Sequence, residues 1–157
     1  RDRLGRRSSA MMYHISRETL STLRKECAHL FPLHWEEVAA HEEVPLDPNW
    51  ELYSQHEDRG NLLSWILWNE GNAVGYVAFL KYYPLHYQET LFAACDVIYI
   101  LPQHRGHNLG RLMIETVEKE LRLQGVVVAK WHIKSYLDWS KLLVNYRWTD
   151  KIMEKVL

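Results

Sequence analysis

The segment Pro102-Gln103-His104-Arg105-Gly106-His107-Asn108-Leu109-Gly110-Arg111 places two Arg, two His and two Gly between an apolar run and an amphipathic one. Where a strand's C-terminal end hands over to a helix, the first helical amides have no intrahelical acceptor. They lie beside the positive end of the helix dipole. Gly106 and Gly110 let the backbone approach a ligand closely, and Arg105, Arg111, His104 and His107 add positive charge. A pyrophosphate or similar polyanion suits this design; the plainer alternative is a basic loop that caps a helix. Neither GxxxxGK[ST] nor GxGxxG is present, which speaks against hydrolysis or transfer of a nucleoside triphosphate.

Asp96 is the second feature with chemistry, a carboxylate inside the apolar run Phe92-Ala93-Ala94-Cys95-Asp96-Val97-Ile98. Such a group is costly unless it is partnered or faces a cleft, and burial would raise its pKa toward that of a useful base. Pairing to a Lys or to backbone at a sheet edge is the equal alternative. His104 and His107 have metal-pair spacing only on a helix and lack a third ligand, so no metal is expected. Cys27 and Cys95 form neither a CxxC nor a disulfide framework. They read as two buried free thiols in a reducing cytoplasm.

The elements that must position these groups follow from periodicity. Residues 13–15 suit a short strand, and Ser16 suits an N-cap for a helix over 17–30, with Leu20, Leu23, Cys27 and Leu30 on one stripe. Pro32 should break that helix and start another over 33–42. Asp47-Pro48 should start a third, ending near Gly60. The pattern then turns extended: strands over 62–68 and 73–82 about an Asn69-Glu70-Gly71-Asn72 turn, with Gly75 marking a bulge or a close approach. A strand over 92–101, the loop, and a helix carrying Leu109, Leu112, Met113, Val117 and Leu121 lead to a strand over 126–133. This is a βαβ crossover. A helix over 136–144 and a strand over 149–156 complete a single α/β domain, a mixed sheet of about six to seven strands flanked by helices.

Composition sets the outer limits. The 157 residues carry 19 Lys and Arg against 20 Asp and Glu, with 47% hydrophobic types, so disorder and low complexity are excluded. Apolar stretches reach about eight residues, far below the ~20 that span a bilayer. Residues 1–11 read as a vector-derived remnant or disordered tail ahead of a domain over 12–157. Without the four Arg and one Asp of the first ten residues, 15 basic and 19 acidic residues remain, which argues against nucleic-acid binding. Seven Trp, nine Tyr and three Phe exceed what a small core requires, and some should line a groove or a homodimer contact.

The strand, the Pro102–Arg111 loop, the amphipathic helix and the following strand resemble the acetyl-CoA-binding unit of the GCN5-related N-acetyltransferases, the GNAT family. The family pattern Gln/Arg-x-x-Gly-x-Gly/Ala runs here as Arg105-Gly106-His107-Asn108-Leu109-Gly110, with Asn108 at the central Gly of the commoner Arg-Gly-x-Gly-x-Gly. Asn145-Tyr146-Arg147-Trp148 stands where the family has Gly-Phe/Tyr. Pro45-Leu46-Asp47-Pro48 and His34-Trp35-Glu36-Glu37-Val38 resemble a bacterial and phage-encoded branch.

The resemblance implies direct acetyl transfer from acetyl-CoA to a primary amine of a small molecule or protein, with no metal. It implies that Ile100 and Leu101 pair with the pantetheine arm, and that amides of Arg105, Gly106, His107, Asn108, Leu109 and Gly110 hold the diphosphate, with Arg105 and Arg111 adding charge. Asp96 is then the base. Lys141 occupies the family's usual Tyr position, so Tyr136 is the substitute acid, with unassisted departure of the thiolate as the alternative. His86 and Trp35 are acceptor-side candidates. A catalytically inactive acyl-CoA-binding module and a toxin that acetylates aminoacyl-tRNA are the competing functions.

Overall fold

Five strands pair into one sheet in order β1-β2-β3-β4-β5 in the computed structural model, which describes residues 12–39, 44–134, 136–150 and 155. The strands are β1 Tyr13–Glu18, β2 Leu62–Asn69, β3 Asn72–Tyr82, β4 Phe92–Ile100 and β5 Val128–Lys130. The helices are α1 Leu20–Glu26, α2 Leu30–Val38, α3 Trp50–Asp58 and α4 Leu109–Leu123. Strands β1 to β4 are antiparallel, and β5 lies parallel to β4. The mixed α/β class and the crossover therefore stand, with five strands among the described residues rather than six or seven.

Strand β2 and its neighbour β3 form the spine of the core, because both are apolar on both faces. Trp65, Ile66, Leu67, Val77 and Phe79 are fully enclosed. Helix α1 packs on β2 and β3 with Leu20, Leu23 and Cys27 buried, and α4 buries Leu109, Met113, Val117 and Leu121. Leu112 is exposed, and Ile114 takes the buried place expected of it. Both cysteines are free and buried, and burial pushes the Cys27 thiol up to about 12. Among the described residues no helix is long and apolar enough to cross a membrane.

Helix starts depart from the sequence expectation. Ser16 is no cap: β1 extends to Glu18 through a continuous ladder with β2, and Ser16 Oγ accepts from Trp68 Nε1 at 2.8 Å. Thr19 caps α1 instead, its Oγ1 accepting from the Thr22 amide at 3.2 Å. The chain breaks at Cys27, and Pro32 sits in the first turn of α2, where a missing N–H removes no helical bond. That helix ends at Val38, with Ala39 already extended at ψ of 119°, short of the expected residue 42; residues 40–43 lie outside the described residues. For α3 the cap is Asn49, whose Oδ1 accepts from the Leu52 amide at 3.0 Å.

The C-terminal quarter differs most. The expected strand over 126–133 is only three residues long, and Tyr136 to Val144 forms turns rather than a helix. Only Leu143 of that segment is buried, so no apolar stripe holds a helix. Asp138 Oδ1 accepts from the Ser140 amide at 2.9 Å, a local bond that competes with helical pairing. Thr149 and Asp150 are not in a strand, and the rest of the expected last strand, Lys155 apart, lies outside the described residues, as do residues 1–11.

Two irregularities shape the sheet. Val74 is an extra residue opposite the Leu67/Trp68 step of β2, and Asp96 is an extra residue of β4 opposite the Ala78/Phe79 step of β3. Beside the first, Gly75 permits a close approach: a Cβ there would lie 2.7 Å from the Tyr99 carbonyl oxygen and 3.2 Å from Ile100 Cα. Gly75→Ala must push β4 away, at an expected cost of about 1–3 kcal/mol. A lowered urea midpoint checks this, and an unchanged midpoint would refute it.

Candidate active site

The two parallel strands part immediately after they meet. Pairs join Phe92, Ala93 and Ala94 of β4 to Val128, Ala129 and Lys130 of β5. Beyond Ala94, β4 runs on to Ile100 with its outer edge paired to no strand among the described residues. The loop follows at the open end. Pro102–His104 makes one 3₁₀ turn, then Gly106, His107 and Asn108 adopt consecutive positive φ angles of 94°, 47° and 58° before α4 begins. The amides of these three residues donate to no acceptor among the described residues, and Gly110 and Arg111 occupy helix positions whose amides lack intrahelical partners. A concave set of amides at a positive helix end is an anion nest.

The side chains of the loop divide their work. Leu109 is buried and anchors α4, and its amide is spent on the Gly106 carbonyl at 3.0 Å. His104 turns to β1, its Nδ1 2.9 Å from the Tyr13 hydroxyl. His107 and Arg111 are exposed, and Arg111 donates to the Lys141 carbonyl at 3.2 Å. Arg105 folds back over the Tyr99 ring, donating from Nε to the Ile100 carbonyl at 2.8 Å and from Nη2 to Glu37 at 2.5 Å. It thus bridges the loop to α2. An open cleft of about 410 Å³ lies here, lined by Leu33, Glu36, Glu37, Tyr99, Leu101, Pro102 and Gln103.

Asp96 is the first carboxylate past the fork. It has no partner residue on β3, because it is the bulge residue, and none on β5, because the strands have separated. Burial was the expected influence on it, yet it is exposed: the bulge turns it out of the apolar pattern of its strand. Its Oδ2 accepts a hydrogen bond from the Tyr53 hydroxyl of α3. Cys95 beside it is enclosed, and burial pushes its thiol well up, away from reactivity.

A ring cluster adjoins the cleft through Tyr99; rings lining a groove were expected, but not the meeting of His34, Tyr76 and Tyr99. Tyr76 and Tyr99 are register partners on β3 and β4, and His34 of α2 stacks on Tyr99 at 4.7 Å. The His34 Nδ1 and the Tyr76 hydroxyl share a hydrogen bond of 2.7 Å. Phe31, Trp50 and Tyr53 extend the cluster. Burial raises the phenols of Tyr53, Tyr76 and Tyr99, so all three stay protonated donors. Burial also holds His34 at about 4, against an opposing pull from Glu37 and with Arg105 and Lys134 reinforcing the shift. The excess of rings was legible in the sequence; the convergence of His34, Tyr76 and Tyr99 depends on register.

His34 therefore ties stability to pH. Between 6.5 and about 4 the unfolded chain takes up a proton on His34 that the folded chain refuses, so stability falls with pH across that window. The stability gap between wild type and His34→Gln should narrow from pH 7 to pH 4, read from urea midpoints. A constant gap would exclude the effect.

The remaining candidates are not gathered with Asp96. Tyr136 is 67% exposed and donates to the Glu37 carbonyl at 3.5 Å, placing it on the Arg105 side of the cleft. Trp35 is half-buried on α2. His86 is exposed in the turn before β4, at the opposite end of a nine-residue strand from the loop. Asn108 and Asn145 stand where the GNAT resemblance expects Gly, and both have left-handed φ, 58° and 70°.

The model of the Acetyltransferase (GNAT) family matches residues 24–138, spanning β2 to β5 and the whole loop. The chain belongs to the GNAT acetyltransferase family. No curated protein matches it. Among solved structures, this GNAT chain is similar to an aminoglycoside acetyltransferase from an uncultured soil metagenomic sample in complex with sisomicin. They share 12% identity and a TM-score of 0.72 over 92% of this chain and 96% of that one. A ribosomal-protein-alanine N-acetyltransferase from Brucella melitensis biovar Abortus 2308 is 14% identical, with a TM-score of 0.66 over 92% and 100%. A predicted acetyltransferase from Clostridium acetobutylicum with acetyl-CoA is 14% identical, with a TM-score of 0.69 over 92% and 96%. At these identities the likeness is one of fold.

Proposed function

We propose that the chain transfers the acetyl group of acetyl-CoA directly to a primary amine of a small molecule or a protein. The observation that carries this reading is the run of three left-handed residues, Gly106 to Asn108, at the start of α4 beside the β4/β5 fork. The amides of Gly106, His107, Asn108, Gly110 and Arg111 hold the diphosphate, and Arg111 adds charge. Arg105 contributes when its guanidinium exchanges Glu37 for the diphosphate. The outer edge of β4 beyond Ala94 receives the pantetheine arm; at its end the Ile100 carbonyl is taken by Arg105, and Leu101 donates to the Val74 carbonyl and accepts from the His104 amide.

In the reaction the acceptor ammonium gives a proton to Asp96, and the free amine attacks the thioester carbonyl. A C–N bond forms, the C–S bond breaks and the CoA thiolate leaves, while the nitrogen sheds its second proton to solvent, which restores the acid that protonates the thiolate. Tyr136, whose hydroxyl donates to the Glu37 carbonyl, is the available acid for that thiolate. Amines named for the structural relatives, sisomicin and a ribosomal-protein alanine, support the acceptor class.

Calorimetry with acetyl-CoA tests the donor, and absence of binding would overturn the reading. Release of CoA across an amine panel, with products identified by mass spectrometry, tests transfer. Binding without turnover on any amine would favour an acyl-CoA-binding module instead.

A further inference from the structure

We infer that Tyr53 is the positioning residue for Asp96, fixing one carboxylate oxygen so that the other faces the fork. The inference rests on the transfer reading above and adds to it a residue of the helical half. Asp96 sits at a bulge, where no cross-strand partner among the described residues restrains its backbone. A carboxylate in such a place is free to rotate unless a side chain holds it. The Tyr53 hydroxyl donates to Oδ2, and among the described residues no Lys, Arg or His forms an ion pair with Asp96. The side chain that touches it is Tyr53 from α3.

Tyr53 is itself held. Its ring packs against Trp50 at 5.6 Å, and Trp50 packs against Phe31 of α2 at 5.5 Å and beneath the Arg24 guanidinium at 4.6 Å. A half-buried phenol fixed from three helices is a rigid donor, and burial keeps it protonated across the physiological range. With Oδ2 occupied, Oδ1 is the oxygen left for an incoming ammonium. Precise placement of a base is worth large factors in rate, because small displacements from a reactive geometry are costly.

The test is a double-mutant cycle on CoA release from acetyl-CoA, with spermidine and an N-terminal alanyl peptide as amine probes. Tyr53→Phe deletes one oxygen and keeps the ring. It should lower kcat about tenfold while the acetyl-CoA Kd stays unchanged. In an Asp96→Asn background the same change should have no further effect on kcat, whereas a merely structural role would lower kcat by the same factor in both backgrounds. Trp50→Phe, which loosens the packing and spares the hydroxyl, should lower Tm without reproducing the kcat loss. An unchanged kcat in Tyr53→Phe, beside a loss in Asp96→Asn, overturns the positioning role and leaves the base. An unchanged kcat in Asp96→Asn, or no turnover by wild type on either probe, overturns the base reading and the role of Tyr53 with it.

Discussion

Gly106→Asp is expected to weaken acetyl-CoA binding at least about 30-fold, near 2 kcal/mol, while the protein stays folded. The residue has φ of 94°, and nothing lies within 4 Å of the Cβ it would gain. Steric collision is therefore absent, and the only folding penalty is left-handed strain of about 1–2 kcal/mol. Binding suffers twice. The strain is relieved by moving the amides of Gly106, His107 and Asn108 out of their shared curvature, and the new carboxylate stands where the diphosphate must sit. Gly106→Ala separates the contributions, since it introduces the strain alone and should cost only a fraction of the affinity. Calorimetric Kd values with thermal midpoints for both variants check the result. Equal affinities for wild type and the Asp variant would mean that the loop does not hold the diphosphate.

Much of this site could be read from the sequence because its signals are local. The Asn69-Glu70-Gly71-Asn72 turn joins β2 to β3 with φ of 50° and 83° at its two centre residues, the geometry a tight hairpin demands. The 3.6-residue spacing of Leu109, Met113, Val117 and Leu121 built α4 where expected. Asn108 could be assigned a left-handed backbone because few other side chains tolerate one.

The errors arise where the answer lies far along the chain. Ser16 and Thr19 are equally good caps by local rule. What decides between them is the ladder from β1 to residues 64–69 of β2, some fifty positions away. His34, Tyr76 and Tyr99 come from three elements, and no spacing within any one of them shows that they meet. Asp96 illustrates both cases. Its chemistry was visible as a carboxylate in an apolar strand, but its exposure was not, since alternation along β4 counts residues evenly and a bulge breaks the count.

The consequence for activity is the second large expectation, a loss of about 10²–10⁴ in kcat for Asp96→Asn. The amide replaces the carboxylate at nearly the same size and keeps an oxygen to accept from Tyr53, so the bulge and the ring cluster should persist with little change in Tm. An exposed position with no ion-pair partner among the described residues also leaves no stranded charge there when the carboxylate is removed. What the variant cannot do is accept a proton from the acceptor ammonium, and the fraction of free amine at the fork falls accordingly. Acetyl-CoA affinity should be untouched, because the amide nest proposed to hold the diphosphate lies beyond the end of β4 and Asp96 near its middle. That split, kcat lost and Kd kept, is the reverse of the Gly106→Asp result. Raising the pH toward the acceptor's own pKa should restore turnover in Asp96→Asn, since solvent then supplies the neutral amine that Asp96 otherwise makes. A variant whose deficit persists unchanged at high pH would show that Asp96 supports the fork rather than the proton transfer.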